Sequence, residues 1–136
     1  MIERIKQLTN GFFFHTGASL DSIAEIQANL HVTFPNDYVD FLSYSDGADG
    51  YIGNAYLKLF NLDRIARLRQ QTLASGVKSE LILFGSDGAT WSYAFDSRLS
   101  PAPIVGVDPI VLEDTPPERY AETFIGFLEY LESQRK

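Results

Sequence analysis

The sequence predicts an α+β fold in which helices pack around a twisted, mostly antiparallel sheet. Apolar residues recur at helical spacing toward the two ends of the chain, whereas short alternating or continuous apolar runs occupy much of the middle. Helices concentrated at both ends with short strands between them are typical of this class. A length of 136 residues suits one core, and no repeat or linker divides the chain. We therefore expect a single domain over residues 1–136.

Three helices are predicted in the amino-terminal part. The first covers residues 2–8, where three apolar residues share a face, namely Ile2, Ile5 and Leu8. The second is predicted over Leu20–Leu30, because Ser19 is a good N-cap residue and an apolar stripe begins at Leu20. The third covers residues 34–42, since Pro35 suits the first turn of a helix.

The middle of the chain predicts a loop, a fourth helix and several strands. Residues 46–50, Asp-Gly-Ala-Asp-Gly, predict a loop with left-handed positions, which glycine tolerates. Residues 62–73 return to helical spacing, and residues 85–88 predict a turn. Strands are predicted at residues 56–60, 81–84, 90–96, 103–107 and 109–112.

Two further patterns lie in the second half of the chain. In the strand predicted at residues 90–96, Trp91, Tyr93 and Phe95 alternate, which predicts one bulky aromatic face and one small, polar face. The closing helix is predicted to begin at Thr-Pro-Pro-Glu, residues 115–118, because this motif has the spacing of a capping box. Its apolar stripe comprises Tyr120, Phe124, Phe127, Leu128 and Leu131.

Composition limits the functions that we expect. Cysteine is absent, which excludes disulfides, thiolate metal ligands and a cysteine nucleophile. No apolar signal region begins the sequence and no later window suits a transmembrane helix, so a cytoplasmic location is expected. The formal net charge of −7 disfavours nucleic acid and anionic membranes as partners, and favours a basic protein.

Four segments together resemble the SUKH superfamily. They are the helix Leu20–Leu30, the Phe-Pro-Asn-Asp-Tyr motif at residues 34–38 that leads to Asp-Gly at 46–47, the Phe-Gly-Ser-Asp-Gly and Tyr-Ala-Phe-Asp motifs within residues 84–96, and the closing helix around residues 123–128. The resemblance implies one domain of several helices around a twisted sheet, without a cofactor. It implies an antidote to toxins, many of them nucleases, delivered between competing bacteria, or a regulator resembling the fungal relatives. Matching residues such as Pro35, Tyr38 and Gly47 are implied to determine the fold.

The sequence offers no set of residues for catalysis or metal binding. Its two histidines, His15 and His31, lie in separate segments, and His31 follows the second helix as a C-terminal cap or as a partner of the helix dipole. Asp46, Asp49 and Asp87 lie near glycines and invite a calcium site, but their spacing differs from an EF-hand loop. Turn formation explains these aspartates. We expect no catalytic residue, no metal site and no cofactor.

A protein interface has more candidate residues. Aromatic anchors with an acidic rim suit contact with a basic partner, such as a toxin domain. The predicted partner-binding residues are Asp46, Asp49, Tyr51, Tyr56, Asp87 and Trp91, and the phenylalanines at 12–14 offer further anchors. Three functions remain open: an immunity protein, a regulatory scaffold with an endogenous partner, and a small-ligand or enzyme domain with Asp96 or His15 in a deep pocket. No oligomeric state is predicted.

Overall fold

The computed structural model describes residues 2–75, 80–89, 91–108 and 117–133. Within these ranges the helices are α1 (Ile2–Leu8), α2 (Leu20–Leu30), α3 (Asn36–Tyr44), α4 (Leu62–Ala74) and α5 (Phe124–Ser133). The strands are β1 (Phe13–Phe14), β2 (Ala48–Ile52), β3 (Ala55–Leu59), β4 (Leu81–Ser86), β5 (Ser92–Asp96), β6 (Ile104–Val107) and β7 (Glu118–Ala121). No helix of the described ranges is long and apolar enough to cross a membrane.

All seven described strands form one sheet. They lie side by side in their order along the chain, and each neighbouring pair is antiparallel. This arrangement confirms the predicted α+β fold. Because successive side chains alternate across a strand, the sheet has an inner face toward the helices and an outer face on the opposite side.

The inner face packs against the helices in an aromatic core. Tyr38 of α3 lies at its centre, with ring centroids 4.9–5.5 Å from those of Phe34, Phe84, Phe95 and Phe124. All five side chains are fully buried. The Tyr38 hydroxyl is buried and has no hydrogen-bond partner among the described residues, and burial raises the pKa of this hydroxyl far above the usual range. The Tyr38 ring therefore organises the core, while its hydroxyl lacks compensation for desolvation.

Local capping explains where two helices begin. The Ser19 Oγ accepts a hydrogen bond from the Ser22 N–H at 3.1 Å, as predicted for α2. The Asn61 Oδ1 accepts from the Arg64 N–H at 2.8 Å at the start of α4. Pro35 differs slightly from the prediction, because it precedes α3 as the N-cap residue and does not lie in the first turn.

The other end of α2 confirms the cap predicted for His31. This residue adopts the left-handed conformation, with φ of 56°, and its N–H bonds to the carbonyl oxygen of Ala28. The apolar stripe of α2 is narrower than predicted. Ile23 is buried, whereas Leu20 is 66% exposed and contributes little to the core.

The predicted start of the closing helix is wrong. Residues 115 and 116 of the capping motif lie outside the described residues, and Glu118 begins strand β7. Helix α5 begins at Phe124, where the Thr123 Oγ1 accepts a hydrogen bond from the Gly126 N–H at 3.0 Å. Tyr120, predicted for the helix stripe, lies in β7 instead.

A buried carboxylate from α3 also caps α5. The Asp37 Oδ1 accepts from the Phe124 N–H at 3.0 Å, and the Asp37 Oδ2 accepts from the Ile125 N–H at 2.8 Å. Asp37 is only 3% exposed. The first amides of a helix have no partner within the helix and carry its positive partial charge, so this carboxylate fixes both the start and the position of α5.

The loop predicted at residues 46–50 is wrong beyond its first two residues. Gly47 has a φ of 87°, as expected for a left-handed position, but β2 then pairs with both β1 and β3. At Gly50 a side chain would collide with the Phe12 ring, so a small residue allows that ring to pack against the strand. Pairing on both sides outweighs the low strand propensity of aspartate and glycine.

Strand β5 is buried on both faces. Tyr93 and Phe95 lie in the main core, as the alternation predicts. The strand begins at Ser92, and residue 90 of the predicted strand lies outside the described residues. The face predicted to be small and polar is buried too, and Ala94 packs in a second apolar cluster. The other buried members of that cluster are Leu81, Val105 and Val107. The strand predicted at residues 109–112 lies outside the described residues.

Candidate functional site

The outer face of the β1–β3 part of the sheet brings together three predicted site residues and one further aromatic. Phe13 pairs with Asp49, and Tyr51 pairs with Tyr56. Directly opposed residues of an antiparallel pair project from the same face, and Asp49 and Tyr51 are two positions apart in β2. We call the surface formed by Phe13, Asp49, Tyr51 and Tyr56 the open face.

Two aromatic side chains of the open face are largely in solvent. Phe13 is 75% exposed and Tyr51 is 66% exposed. The same outer face is closed further along the sheet, where Ala94, Val105 and Val107 are buried. Exposed aromatics grouped on a rigid strand pair are typical of interaction surfaces, whereas single exposed apolar residues need no explanation.

The remaining two residues of the open face are held in position. The Tyr56 hydroxyl donates a hydrogen bond to the Asp49 Oδ2 at 3.1 Å, and the Tyr51 and Tyr56 rings meet edge to face with centroids 5.3 Å apart. Desolvation, followed by the bond to Asp49, raises the pKa of Tyr56. The phenol therefore remains a donor at neutral pH, and the Asp49 carboxylate has one fixed partner.

Asp87 supports the open face from a neighbouring turn. Its Oδ1 accepts hydrogen bonds from the Ala89 N–H at 2.9 Å and the Trp91 N–H at 3.2 Å. These bonds close the turn that follows β4. The turn was predicted at residues 85–88, but residues 85 and 86 belong to β4. In the turn, Gly88 has a φ of 84° and lies against the Tyr56 ring. Asp87 thus lies near the open face, and its carboxylate is hydrogen-bonded to backbone amides of the turn.

Asp46 has a structural partner at the start of α4. Its Oδ1 accepts a hydrogen bond from the Leu62 N–H at 2.8 Å, and its own N–H donates to the Thr16 carbonyl oxygen at 3.2 Å. Leu62 is the first residue of α4, so the carboxylate satisfies an amide that has no partner within the helix. Asp46 is therefore held by the start of α4 and not by the Tyr51–Tyr56 pair.

Trp91 lies on the opposite side of the sheet from Asp49 and Tyr51. Its indole Nε1–H donates to the Tyr120 hydroxyl at 2.7 Å, and both groups lie over Gly106. Trp91 is half-buried against the main core. The structure thus separates Trp91 from the open face.

The polar residues weighed for chemistry lie in two different places. Asp96 is 6% exposed and accepts hydrogen bonds from the Arg98 side chain at 2.9 and 2.7 Å, which lower the pKa of its carboxyl group. His15 lines a cleft with Asp46 and Lys58 near the start of α4. Across the described ranges, no group of three or more potential ligands is placed to hold a metal ion.

Sequence reasoning did not single out Phe13 from its neighbours. The three phenylalanines at residues 12–14 differ widely in exposure to solvent: Phe12 is 6% exposed, whereas Phe13 is 75% exposed. The available sequence signal was the alternation of side chains between the two faces of a strand. It could not separate these three residues, because the run is apolar at every position. Its pairing with Asp49, not the run itself, places Phe13 on the open face.

The fold and this surface define a class: an α+β domain with an antiparallel meander and an exposed aromatic patch on the outer face of its sheet. The family model described as the SMI1 / KNR4 family (SUKH-1) matches residues 17–130. The chain belongs to this family, which confirms the resemblance to the SUKH superfamily. No curated protein matches the sequence.

Proposed function

We propose that this chain is a non-catalytic immunity protein that binds and neutralises a toxin, and that the open face is its contact surface. The observation that carries the proposal is the exposure of Phe13 and Tyr51 beside Asp49 on one rigid part of the sheet. Family membership supports it, because the SUKH resemblance implies toxin antidotes in bacteria. The net charge of −7 favours encounter with a basic toxin.

The open face has the features that tight binding requires. Neutralisation at a nanomolar Kd corresponds to about 12 kcal/mol, and a standard interface of about 1,600 Å² reaches it when a few anchors are well packed. Aromatic side chains on a strand pair lose little conformational freedom on binding. The orientation of Asp49 by Tyr56 supports contact with a lysine or arginine of the partner.

Co-expression with the toxin domain encoded by a neighbouring gene tests the proposal. The chain is expected to restore growth and to co-purify with that domain. Phe13→Ala and Tyr51→Ala are each expected to raise the Kd about 30-fold, the size of a strong anchor. Leu20→Ala and Leu73→Ala are matched controls, because these leucines are 66% and 54% exposed on helices elsewhere. They should change the Kd less than about threefold.

The charge of Asp49 is tested separately. Asp49→Asn keeps an acceptor for the Tyr56 hydroxyl and removes the negative charge, so it should slow association and reduce its dependence on salt. Asp40→Asn, an exposed site on α3, is the control. Equal affinities for the Phe13 and Tyr51 variants and the unmodified chain would exclude the open face. A non-toxic neighbour together with capture of an endogenous partner would favour the regulatory scaffold.

A further inference from the structure

A polar cleft lies beside the start of α4. Its volume is about 120 Å³, and its lining includes five polar side chains: His15, Asp46, Lys58, Asn61 and Arg64. A single water molecule needs roughly 10–15 Å³ on the same measure. The cleft therefore has room for a small polar group larger than water. It adjoins the open face, because Lys58 is paired with Asp49 across β2 and β3.

Two positive charges line this cleft although the chain as a whole is acidic. Within the described ranges, neither Lys58 nor Arg64 has a carboxylate at ion-pair distance. By contrast, four described arginines each pair with an acid, namely Arg4, Arg67, Arg98 and Arg119. The Arg64 guanidinium lies 4.3 Å from the Phe60 ring centroid. Stacking occupies a face of the guanidinium and leaves its N–H edge for an acceptor.

Among the described residues, Asp46 is the one acid that lines the cleft, and its role is limited. One of its oxygens accepts the Leu62 N–H, so the start of α4 is already capped by the chain itself. The Leu62 amide at the start of α4 is therefore occupied and does not by itself provide a ligand site. The side-chain donors that line the cleft are Lys58, Arg64, the amide of Asn61 and the imidazole of His15. Asp46 opposes an incoming negative charge, while Lys58 and Arg64 attract it.

We propose that this cleft binds one small anionic oxygen group, a carboxylate or a phosphate, through Lys58 and Arg64. Arginine matches the planar oxygen pair of such groups, and the lysine ammonium adds a second charge-assisted donor. The site exists in the free chain, so it does not depend on whether the open face binds a toxin.

Titration of the full-length, ¹⁵N-labelled chain tests the site. Sodium phosphate and sodium acetate are added in separate NMR titrations, with sodium chloride holding the ionic strength constant. Saturable shifts at the amides of Gly47 and Asn61, with a Kd in the millimolar range, are expected. Saturation by phosphate alone identifies a phosphate site, and saturation by acetate alone or by both identifies a site that accepts carboxylates. Shifts that follow those in sodium chloride in both titrations overturn the proposal.

Charge variants inside and outside the cleft separate a local site from the general field of the chain, because a general field would respond to either kind of variant. Lys58→Met and Arg64→Met should each weaken binding of the saturating anion at least about fivefold. Asp46→Asn keeps an acceptor for the Leu62 N–H and removes the opposing charge, so it should tighten binding about fivefold. Arg67→Met, on the same helix but paired with Asp63, is the control and should leave the Kd unchanged. Unchanged affinity in both methionine variants of the cleft would also refute the site.

Discussion

The contact between Asp37 and the first amides of α5 gives the sharpest stability prediction. Its two carboxylate oxygens each accept one backbone N–H at 2.8–3.0 Å in a buried setting. A hydrogen bond to a charged group is worth about 1.5–3 kcal/mol, and an unpaired buried donor carries the full cost of desolvation. Asp37→Ala should therefore lower the free energy of unfolding by about 3–5 kcal/mol. Asp37→Asn retains one acceptor oxygen, so it should lower the free energy of unfolding by about half as much as Asp37→Ala.

Urea denaturation followed by fluorescence of the single tryptophan measures these losses. With a slope of about 2 kcal/mol per molar urea, Asp37→Ala should shift the midpoint by roughly 1.5–2.5 M. Asp40→Asn is the control on the same helix, because Asp40 is exposed, and it should change stability by less than about 0.5 kcal/mol. Amide exchange at Phe124 and Ile125 should accelerate in the Asp37 variants. A loss below about 1 kcal/mol for Asp37→Ala would refute the assigned role of the carboxylate.

Two further stability predictions follow from buried polar groups. Tyr38→Phe removes a buried hydroxyl that has no partner among the described residues. Urea denaturation should therefore show a free energy of unfolding that is unchanged or raised by about 1 kcal/mol, and a clear loss would contradict this. Hydrogen bonds from Arg98 lower the pKa of the Asp96 carboxyl in the folded chain. The contribution of this carboxylate to the free energy of unfolding is therefore complete above its unfolded pKa of about 3.9 and is lost as pH falls through the lower folded pKa. Asp96→Asn should therefore be less stable at pH 7 by about 1 kcal/mol, yet lose less stability than the unmodified chain between pH 6 and pH 2.5, and parallel pH curves would exclude this linkage.

Local sequence signals predicted the elements whose ends are set by nearby residues. Ser19 caps α2 from the adjacent position, and the helical spacing of residues 62–73 corresponds closely to α4. The start of α5 could not be obtained in this way, because its cap comes from Asp37, 87 residues away from Phe124 in the sequence. A capping-box motif at residues 115–118 was locally plausible, but pairing with β6 draws Glu118 into a strand.

The candidate surface was predictable in part. Asp49, Tyr51 and Tyr56 were named from residue type, and strand pairing places them together. Residue type alone could not separate Asp49 from Asp46, because both are acids beside glycine and only the position of the Leu62 amide distinguishes them. Trp91 was predicted as an aromatic anchor, yet its indole N–H donates to the Tyr120 hydroxyl on the other side of the sheet.

The meander has a consequence for how the surface can diverge among relatives. The hairpin of β2 and β3 carries Asp49, Tyr51 and Tyr56 outward, while the alternate positions Ile52 and Leu57 are buried inward. Substitutions at the outward positions leave the inward side chains and the strand register intact. On the proposed contact surface, point changes in one hairpin can thus alter specificity while the scaffold that supports it is inherited unaltered.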